Sequence, residues 1–156
     1  MEPRPRRRPD ETLLVAGRGA EPALFPEVLS VLTDLRSQGH RLAVSSGSIP
    51  GSVERKIRVA GIAGLFEVAL GSDEHVPAMA KGPGHFALIA EALATSPAHL
   101  RTTGFFIGDG VYDMEIARAA GMTAIGRRTG DNAEVLFRAG AHRVIAGLRE
   151  LSPLLA

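Results

Sequence analysis

Residues 104–113 read Gly-Phe-Phe-Ile-Gly-Asp-Gly-Val-Tyr-Asp, an apolar run that ends in two carboxylates four residues apart. Phe105–Ile107 are bulky and uninterrupted, which predicts a strand covered on both faces, and the glycines that follow permit a tight turn. Asp109 then stands at the carboxyl end of the strand, where open α/β sheets bind their ligands. Asp113 follows about one helical turn later, close enough to share a hard cation such as Mg²⁺. The stretch therefore predicts an acidic metal or phosphate site at the mouth of a parallel sheet.

The same two acids have a purely structural alternative. Asp113 can be the N-cap of a helix predicted over Met114–Ala120, and Asp109 can be an ordinary turn residue. The stretch alone leaves both interpretations open, so the rest of the chain has to decide between them.

Composition places the chain among ordinary globular proteins. With 156 residues and 45% apolar residues, it has the size of one domain and enough apolar mass to form a core. No apolar run approaches the roughly 20 residues that cross a bilayer. The absence of cysteine excludes disulfides and thiolate chemistry, and the five histidines lack the spacing of a zinc site. We expect a cytoplasmic location without a membrane partner.

The positive charge is concentrated at the N-terminus. Residues 1–10 contain four arginines and two acidic residues, whereas the chain as a whole has a net charge of +1. This composition predicts a disordered Arg/Pro-rich arm over residues 1–11 and a single core domain over residues 12–156. Because the body is not basic and its few aromatic residues are dispersed, nucleic acid is not an expected partner.

Apolar runs and amphipathic segments alternate from residue 25 onward. This order predicts an α/β fold with a mainly parallel sheet and helices on both faces. The predicted strands are Arg41–Ser45, Val68–Leu70, Phe105–Ile107, Thr123–Ile125 and Arg143–Ile145. The predicted helices are Glu27–Gln38, Gly51–Ala60, Gly84–Ala94, Met114–Ala120, Asn132–Arg138 and Leu148–Leu155. In the first helix the apolar stripe comprises Val28, Leu29, Val31, Leu32 and Leu35.

Three polar segments are expected to meet at one edge of this sheet, because right-handed crossovers place the carboxyl ends of parallel strands together. They are Ser45–Ser48 after the second strand, Lys81–Gly84 at the start of the long helix, and Asp109–Asp113. Taken singly, the serines can be a cap and Lys81 a solvated surface residue. A hydroxyl, an ammonium and paired carboxylates together predict a phosphoryl-binding site.

These segments resemble three of the four motifs of the haloacid dehalogenase-like phosphatases, closest to the phosphoglycolate phosphatase and phosphoglucomutase branch. The similarity rests on the serine after the second strand, on Lys-Gly-Pro-Gly-His-Phe at residues 81–86, and on residues 107–122. The last segment reads Ile-Gly-Asp-Gly-Val-Tyr-Asp-Met-Glu-Ile-Ala-Arg-Ala-Ala-Gly-Met and is the most specific of the three. The resemblance extends from about Leu24 to the C-terminus and implies a Rossmann-like three-layer core without a full cap domain.

The resemblance also implies residue roles. Ser46 would donate a hydrogen bond to the phosphoryl group of a small phosphorylated metabolite, beside Gly47, with Ser45 as the neighbouring candidate. Lys81 would pair with the phosphoryl oxygens, and Asp109 and Asp113 would hold Mg²⁺. Such a set suits phosphoryl transfer, which depends on positioning and on neutralising charge on the equatorial oxygens.

One expected motif is missing from the chain. Members of this family begin their chemistry with an Asp-x-Asp pair at the end of the first strand, whose members act as nucleophile and acid. The upstream strand candidate here, Thr12–Ala16, leads instead to Gly17 and Gly19 at those two positions. A second alignment recovers the acid at Asp10 but places Arg8 at the nucleophile, without a preceding apolar strand.

Two interpretations of this departure follow. In one, a preceding segment carries the missing motif, and the chain is part of an active phosphatase. In the other, the chain has lost its nucleophile and binds phosphate, metal or a protein partner without catalysis. The sequence leaves the choice, the substrate and the oligomeric state open.

Overall fold

The structure, a computed structural model, describes residues 14–15, 23–24 and 26–156. The arm predicted over residues 1–11, the glycines Gly17 and Gly19, and the alternative alignment through Arg8 and Asp10 all lie outside the described residues.

The described residues form strands and helices in alternation, as the sequence pattern predicts. The strands are β1 (Leu14–Val15), β2 (Ala23–Leu24), β3 (Ala43–Ser45), β4 (Val68–Leu70), β5 (Phe105–Gly108), β6 (Thr123–Arg127) and β7 (Arg143–Ile145). The helices are α1 (Val28–Ser37), α2 (Pro50–Val59), α3 (Pro83–Ala92), α4 (Pro97–Thr103), α5 (Val111–Ala119), α6 (Ala133–Ala139) and α7 (Leu151–Leu155). The α/β class is confirmed.

The parallel strands form two sheets rather than one. Strand β3 pairs with β4, and β5, β6 and β7 pair in that order, all of them parallel. Among the strands that the structure describes, none bridges β3 and β5. Strand β1, inside the predicted strand Thr12–Ala16, instead pairs antiparallel with β2. Within the described ranges, the strand that carries the serines and the strand that leads to Asp109 therefore belong to separate sheets.

Helix α4 was not predicted, although its start carries a recognisable signal. The Ser96 side chain accepts a hydrogen bond of 3.1 Å from the His99 amide, and Pro97 occupies the first helical position. Both features are typical of helix N-termini. The preceding helix ends at Ala92, two residues before the predicted end.

Two apolar clusters hold the elements together. The first combines α1 with residues of β6, β7 and α7, and it confirms the predicted stripe except for Leu29, which is 52% exposed. The second contains Phe86 of α3, Phe106 of β5 and Met114 of α5. The rings of Phe86 and Phe106 meet edge to face, with centroids 5.6 Å apart. This second cluster holds in place the start of α3, which Lys81 precedes, and the first turn of α5, which contains Asp113.

Strand β5 is covered less completely than its sequence predicts. Phe106 is buried, but Phe105 at the start of the strand is 41% exposed. The expectation that both faces are covered is therefore wrong for Phe105, which stands at the first position of β5.

Candidate active site

A buried ion pair joins two of the predicted segments. Lys81 Nζ, just before α3, lies 2.6 Å from Asp113 Oδ1 in the first turn of α5. The Lys81 side chain is 6% exposed and that of Asp113 is 1% exposed. The alternative of a solvated surface lysine is thereby excluded, because both charges are withdrawn from water.

Asp113 is also not the N-cap that the structural alternative required. Helix α5 begins at Val111 with Gly110 as its N-cap, and Asp113 is the third residue of the helix. Its Oδ2 accepts a hydrogen bond of 3.2 Å from the Gly110 amide. A negative charge in this first turn is favoured by the helix dipole. The carboxylate thus points back towards the end of β5, as the metal-site hypothesis requires.

Burial raises the pKa of Asp113, because desolvation disfavours the charged carboxylate. The ammonium of Lys81 opposes this effect through charge and hydrogen bonding, and the Gly110 amide opposes it further. The charge of Asp109 acts in the same direction as burial, which places the two carboxylates within electrostatic reach of each other. Lys81 is therefore the group that favours the anionic form of Asp113.

The Lys81 backbone is anchored on both sides. The Tyr112 hydroxyl donates a 3.2 Å hydrogen bond to the Lys81 carbonyl, and the Lys81 amide donates one of 3.2 Å to Ser72 Oγ. Ser72 Oγ in turn donates to the carbonyl of Ser46 at 2.7 Å. The predicted segments at Ser46, Lys81 and Asp113 are therefore brought together, and Ser72, after β4, is the link that sequence reasoning missed.

The two candidate serines differ in what their hydroxyls contact. Ser46 is buried, and its Oγ accepts a 3.0 Å hydrogen bond from the Ser48 amide across the turn that contains Gly47. Ser45 Oγ lies 2.7 Å from Nδ1 of His85. The predicted phosphate roles of Ser46, Gly47 and the neighbouring Ser45 remain predictions.

His85 is a second residue of this region that sequence reasoning missed. It is fully buried, and its Nε2 lies 3.0 Å from the Gly71 carbonyl and 3.1 Å from the Met79 carbonyl. Carbonyls only accept, so Nε2 carries the proton, and Nδ1 of the neutral ring accepts from the Ser45 hydroxyl. His85 thus connects the ends of β3 and β4 to the turn before α3. Its place in the Lys-Gly-Pro-Gly-His-Phe segment was the available signal.

His85 should make stability depend on pH. Burial lowers the pKa of His85, the Gly71 and Met79 carbonyls oppose this, and the Lys81 charge lowers it further. Because the unfolded chain then binds the proton more readily, the free energy of unfolding should fall as the pH drops below about 6.5. Urea unfolding between pH 7.5 and 5.5 measures the slope of the free energy of unfolding against pH. His85→Gln should reduce the slope, whereas His75→Gln, at a histidine whose side chain is 86% exposed, should retain it. Equal slopes in both variants would contradict the assignment.

The donor set at Asp109 and Asp113 is small. Among the described residues no cluster of three or more acidic, histidine or cysteine side chains could hold a metal ion. Mg²⁺ is nevertheless bound in many proteins by one or two carboxylates, with waters and phosphate oxygens completing the octahedron. Each carboxylate oxygen of Asp113 has one named contact and so keeps lone pairs for a cation. The two residues fit Mg²⁺ together with a phosphate ligand. They do not fit a metal that requires many protein ligands.

Parallel strands that alternate with helices, with polar side chains gathered at the carboxyl ends of the strands, are the architecture of the Rossmann-like class. A family model described as haloacid dehalogenase-like hydrolase matches residues 8–121. The chain belongs to that family, which confirms the resemblance inferred from its motifs.

The relatives place the chain in the phosphoglycolate phosphatase-like branch. It is 30% identical over 122 residues to Probable phosphatase IndB of Dickeya dadantii, covering 78% of this chain and 51% of that protein. It is 29% identical over 109 residues to the Phosphoglycolate phosphatase of Escherichia coli K12, covering 70% and 41%. The chain thus spans about half the length of the curated relatives it matches.

A solved structure agrees on the fold. The crystal structure of a predicted phosphoglycolate phosphatase from Haemophilus somnus superposes with a TM-score of 0.72 at 23% identity. The superposition covers 85% of this chain and 57% of that one. In the part of the chain that the structure describes, no helix has both the length and the apolar character to cross a membrane.

Proposed function

We propose that this chain forms the phosphate- and metal-binding part of a Mg²⁺-dependent phosphatase that acts on a small phosphomonoester. The buried pair of Lys81 and Asp113, with Nζ and Oδ1 2.6 Å apart beside Asp109, carries the proposal. Keeping a charge pair out of water costs free energy, and such pairs concentrate at functional sites. The membership in a family of hydrolases and the phosphatase names of the relatives support the same conclusion.

Each residue has a task in this proposal. Lys81 neutralises charge on the phosphoryl oxygens while it keeps Asp113 ionised. Asp109 and Asp113 hold Mg²⁺, which when bound stabilises negative charge that develops on the transferring group. Ser46 and the Gly47 turn donate hydrogen bonds to the phosphoryl group. Hydrolysis through an aspartyl-phosphate further requires a nucleophilic aspartate from outside these motifs, and a chain without one binds phosphate or metal without turnover.

The test is the hydrolysis of p-nitrophenyl phosphate by the chain, with Mg²⁺ and with EDTA. If a nucleophilic aspartate completes the site, we expect Mg²⁺-dependent turnover that falls about a hundredfold or more in Asp109→Asn, because a carboxylate that holds the metal is lost. Asp34→Asn, at an exposed position of α1, is the matched control and should leave turnover unchanged. Turnover that Asp109→Asn does not affect would refute the metal role of Asp109.

A binding measurement separates the catalytic proposal from its alternative. Mg²⁺ should raise the melting temperature of the chain but not of Asp109→Asn, since a ligand that binds only the folded state adds about 2.7 kcal/mol at one hundred times its Kd. Mg²⁺ stabilisation without turnover and without a trapped aspartyl-phosphate would favour the non-catalytic alternative. Neither stabilisation nor turnover would overturn both.

A further inference from the structure

Asn132 stands where a helix cap is expected, but its side chain does not cap the helix. It is the residue before α6, and asparagine is among the residue types preferred at this N-cap position. No hydrogen bond joins its side chain to the first amides of α6. Instead, Nδ2 of Asn132 donates a 3.2 Å hydrogen bond to the carbonyl of Asp109. The side chain therefore serves the acidic turn after β5, residues 109–113, rather than its own helix.

The orientation of the Asn132 amide group follows from its partners. Its Oδ1 accepts a 2.9 Å hydrogen bond from the Thr129 amide, and its Nδ2 also lies 3.2 Å from Thr129 Oγ1. A backbone amide can only donate and a carbonyl can only accept, so Oδ1 must face the Thr129 amide and Nδ2 must face the Asp109 carbonyl. The loop between β6 and α6 thus holds the Asn132 side chain in one orientation.

This loop lies beside the acidic turn because β5 and β6 are paired. Gly108, the last residue of β5, is level with Gly126 of β6, so the two strands end side by side. Asp109 directly follows β5, and the loop that leads to Asn132 follows β6. The hydrogen bond between them therefore joins the connections that leave two adjacent strands.

The hydrogen bond from Asn132 is one of two that hold a single peptide group. The peptide between Asp109 and Gly110 offers its carbonyl to Asn132 and its amide to Oδ2 of Asp113, each at 3.2 Å. In a trans peptide the carbonyl and the N–H point in opposite directions, so Asn132 and Asp113 hold the peptide plane from opposite sides. Rotation of this plane would break both hydrogen bonds.

The acidic turn needs such support because glycines flank Asp109. Gly108 and Gly110 have no Cβ, so φ and ψ are less restricted there than at other residues. A stiffer residue at position 108 is not compatible with the site, since a Cβ there would lie 2.5 Å from Cγ of Asp113. The turn therefore obtains rigidity from contacts with other segments, and Asn132 supplies one at the Asp109 carbonyl.

We propose that Asn132 is a positioning residue for the metal site: it fixes the peptide between Asp109 and Gly110 and thereby orients the carboxylates of Asp109 and Asp113 towards one Mg²⁺. The inference rests on the proposed function, in which these two carboxylates hold the metal. Residues that orient metal ligands without touching the metal typically contribute about 10–100-fold to its affinity. Asn132 contacts the backbone of one ligand and, through the Gly110 amide, influences the carboxylate of the other.

The first test measures the dissociation constant of Mg²⁺ by NMR titration, with Mg²⁺ alone as the probe. Asn132→Leu keeps the shape of asparagine but has no donor, so it should raise the dissociation constant about tenfold or more. Thr129→Val removes the hydroxyl that shares Nδ2 and retains the hydrogen bond to Asp109, so it should leave the constant unchanged. Both positions are partly buried in the same loop, so a general loosening of the loop would affect both variants alike.

A second test needs no metal and uses a variant that preserves the loop. Asn132→Asp keeps an acceptor for the Thr129 amide but has no donor for the Asp109 carbonyl. In EDTA, the Gly110 amide of this variant should exchange with solvent about tenfold faster than in the unchanged chain, because its peptide is held at one end only. The Thr129 amide should keep its protection.

Two results would overturn the proposal. The first is a Mg²⁺ dissociation constant that rises in Asp109→Asn but not in Asn132→Leu, or that rises equally in Asn132→Leu and Thr129→Val. The second is an unchanged exchange rate of the Gly110 amide in Asn132→Asp. A chain that binds no Mg²⁺ would overturn the proposed metal site and, with it, the role of Asn132 towards the metal. Exchange at Gly110 would then separately decide whether Asn132 holds the turn.

Discussion

Lys81→Ala should lower the free energy of unfolding by about 3–5 kcal/mol at neutral pH, because it leaves the buried carboxylate of Asp113 without its partner. Both side chains of the pair are buried, so water cannot replace the ammonium as a partner of the carboxylate. The loss should shrink in acid. Without Lys81 the pKa of Asp113 rises further, and stability then declines as the pH rises above the unfolded value of about 4.

Urea unfolding at pH 5 and pH 7.5 in EDTA measures both effects. The double variant Lys81→Ala with Asp113→Asn removes the unpaired carboxylate. It should therefore recover part of the stability and lose the pH dependence that Lys81→Ala adds to the free energy of unfolding. A double variant as unstable as Lys81→Ala at both pH values would show that the ion pair matters through packing alone.

Gly108→Ala should have the second largest effect, and it acts on Asp113 without adding or removing a charge. A methyl group at Gly108 would lie 2.5 Å from Cβ and Cγ of Asp113, closer than non-bonded carbon atoms can approach. The Asp113 side chain or the backbone at Gly108 must shift to relieve this contact, at a cost of about 1–3 kcal/mol in stability. If the chain is catalytic, a displacement of the Asp113 carboxylate should lower turnover about a hundredfold.

Thermal unfolding and the NMR shift of the Gly110 amide, which donates to Asp113, report the displacement without an activity assay. Gly51→Ala is the matched control, since the added methyl group meets no atom within 4 Å. It should stabilise helix α2 by about 0.4–1 kcal/mol. An unchanged Gly110 signal in Gly108→Ala would mean that the backbone relaxes around the methyl group.

The sequence was sufficient to predict the parts of the fold and site that depend on local patterns. The helix periods and the apolar runs predicted the α/β order, and the spacing of Asp109 and Asp113 after an apolar run predicted where the acids stand. Lys81 could be assigned to the same edge because crossovers between parallel strands have one hand. These inferences need only neighbours along the chain or a general rule of topology.

Other features depend on which elements meet in space, and no local pattern encodes that. Ser72 acquires its role because β4 ends beside the turn of Ser46, and His85 because three separate backbone segments surround its ring. The sequence also did not predict that β3 and β5 belong to separate sheets among the described residues, since each strand has an ordinary apolar sequence.

The edge-to-face contact of Phe86 and Phe106 has a consequence for the chemistry of the site. Phe86 lies on the helix that Lys81 precedes, and Phe106 lies on the strand that leads to Asp113 through α5. The contact of these two hydrocarbon rings therefore acts together with the hydrogen bonds of Tyr112, Ser72 and Gly110 in holding the ammonium and the carboxylate at their separation. A smaller side chain at Phe86 or Phe106 is therefore expected to shift the elements that carry Lys81 and Asp113, and so to change the interaction of two charges that it does not contact.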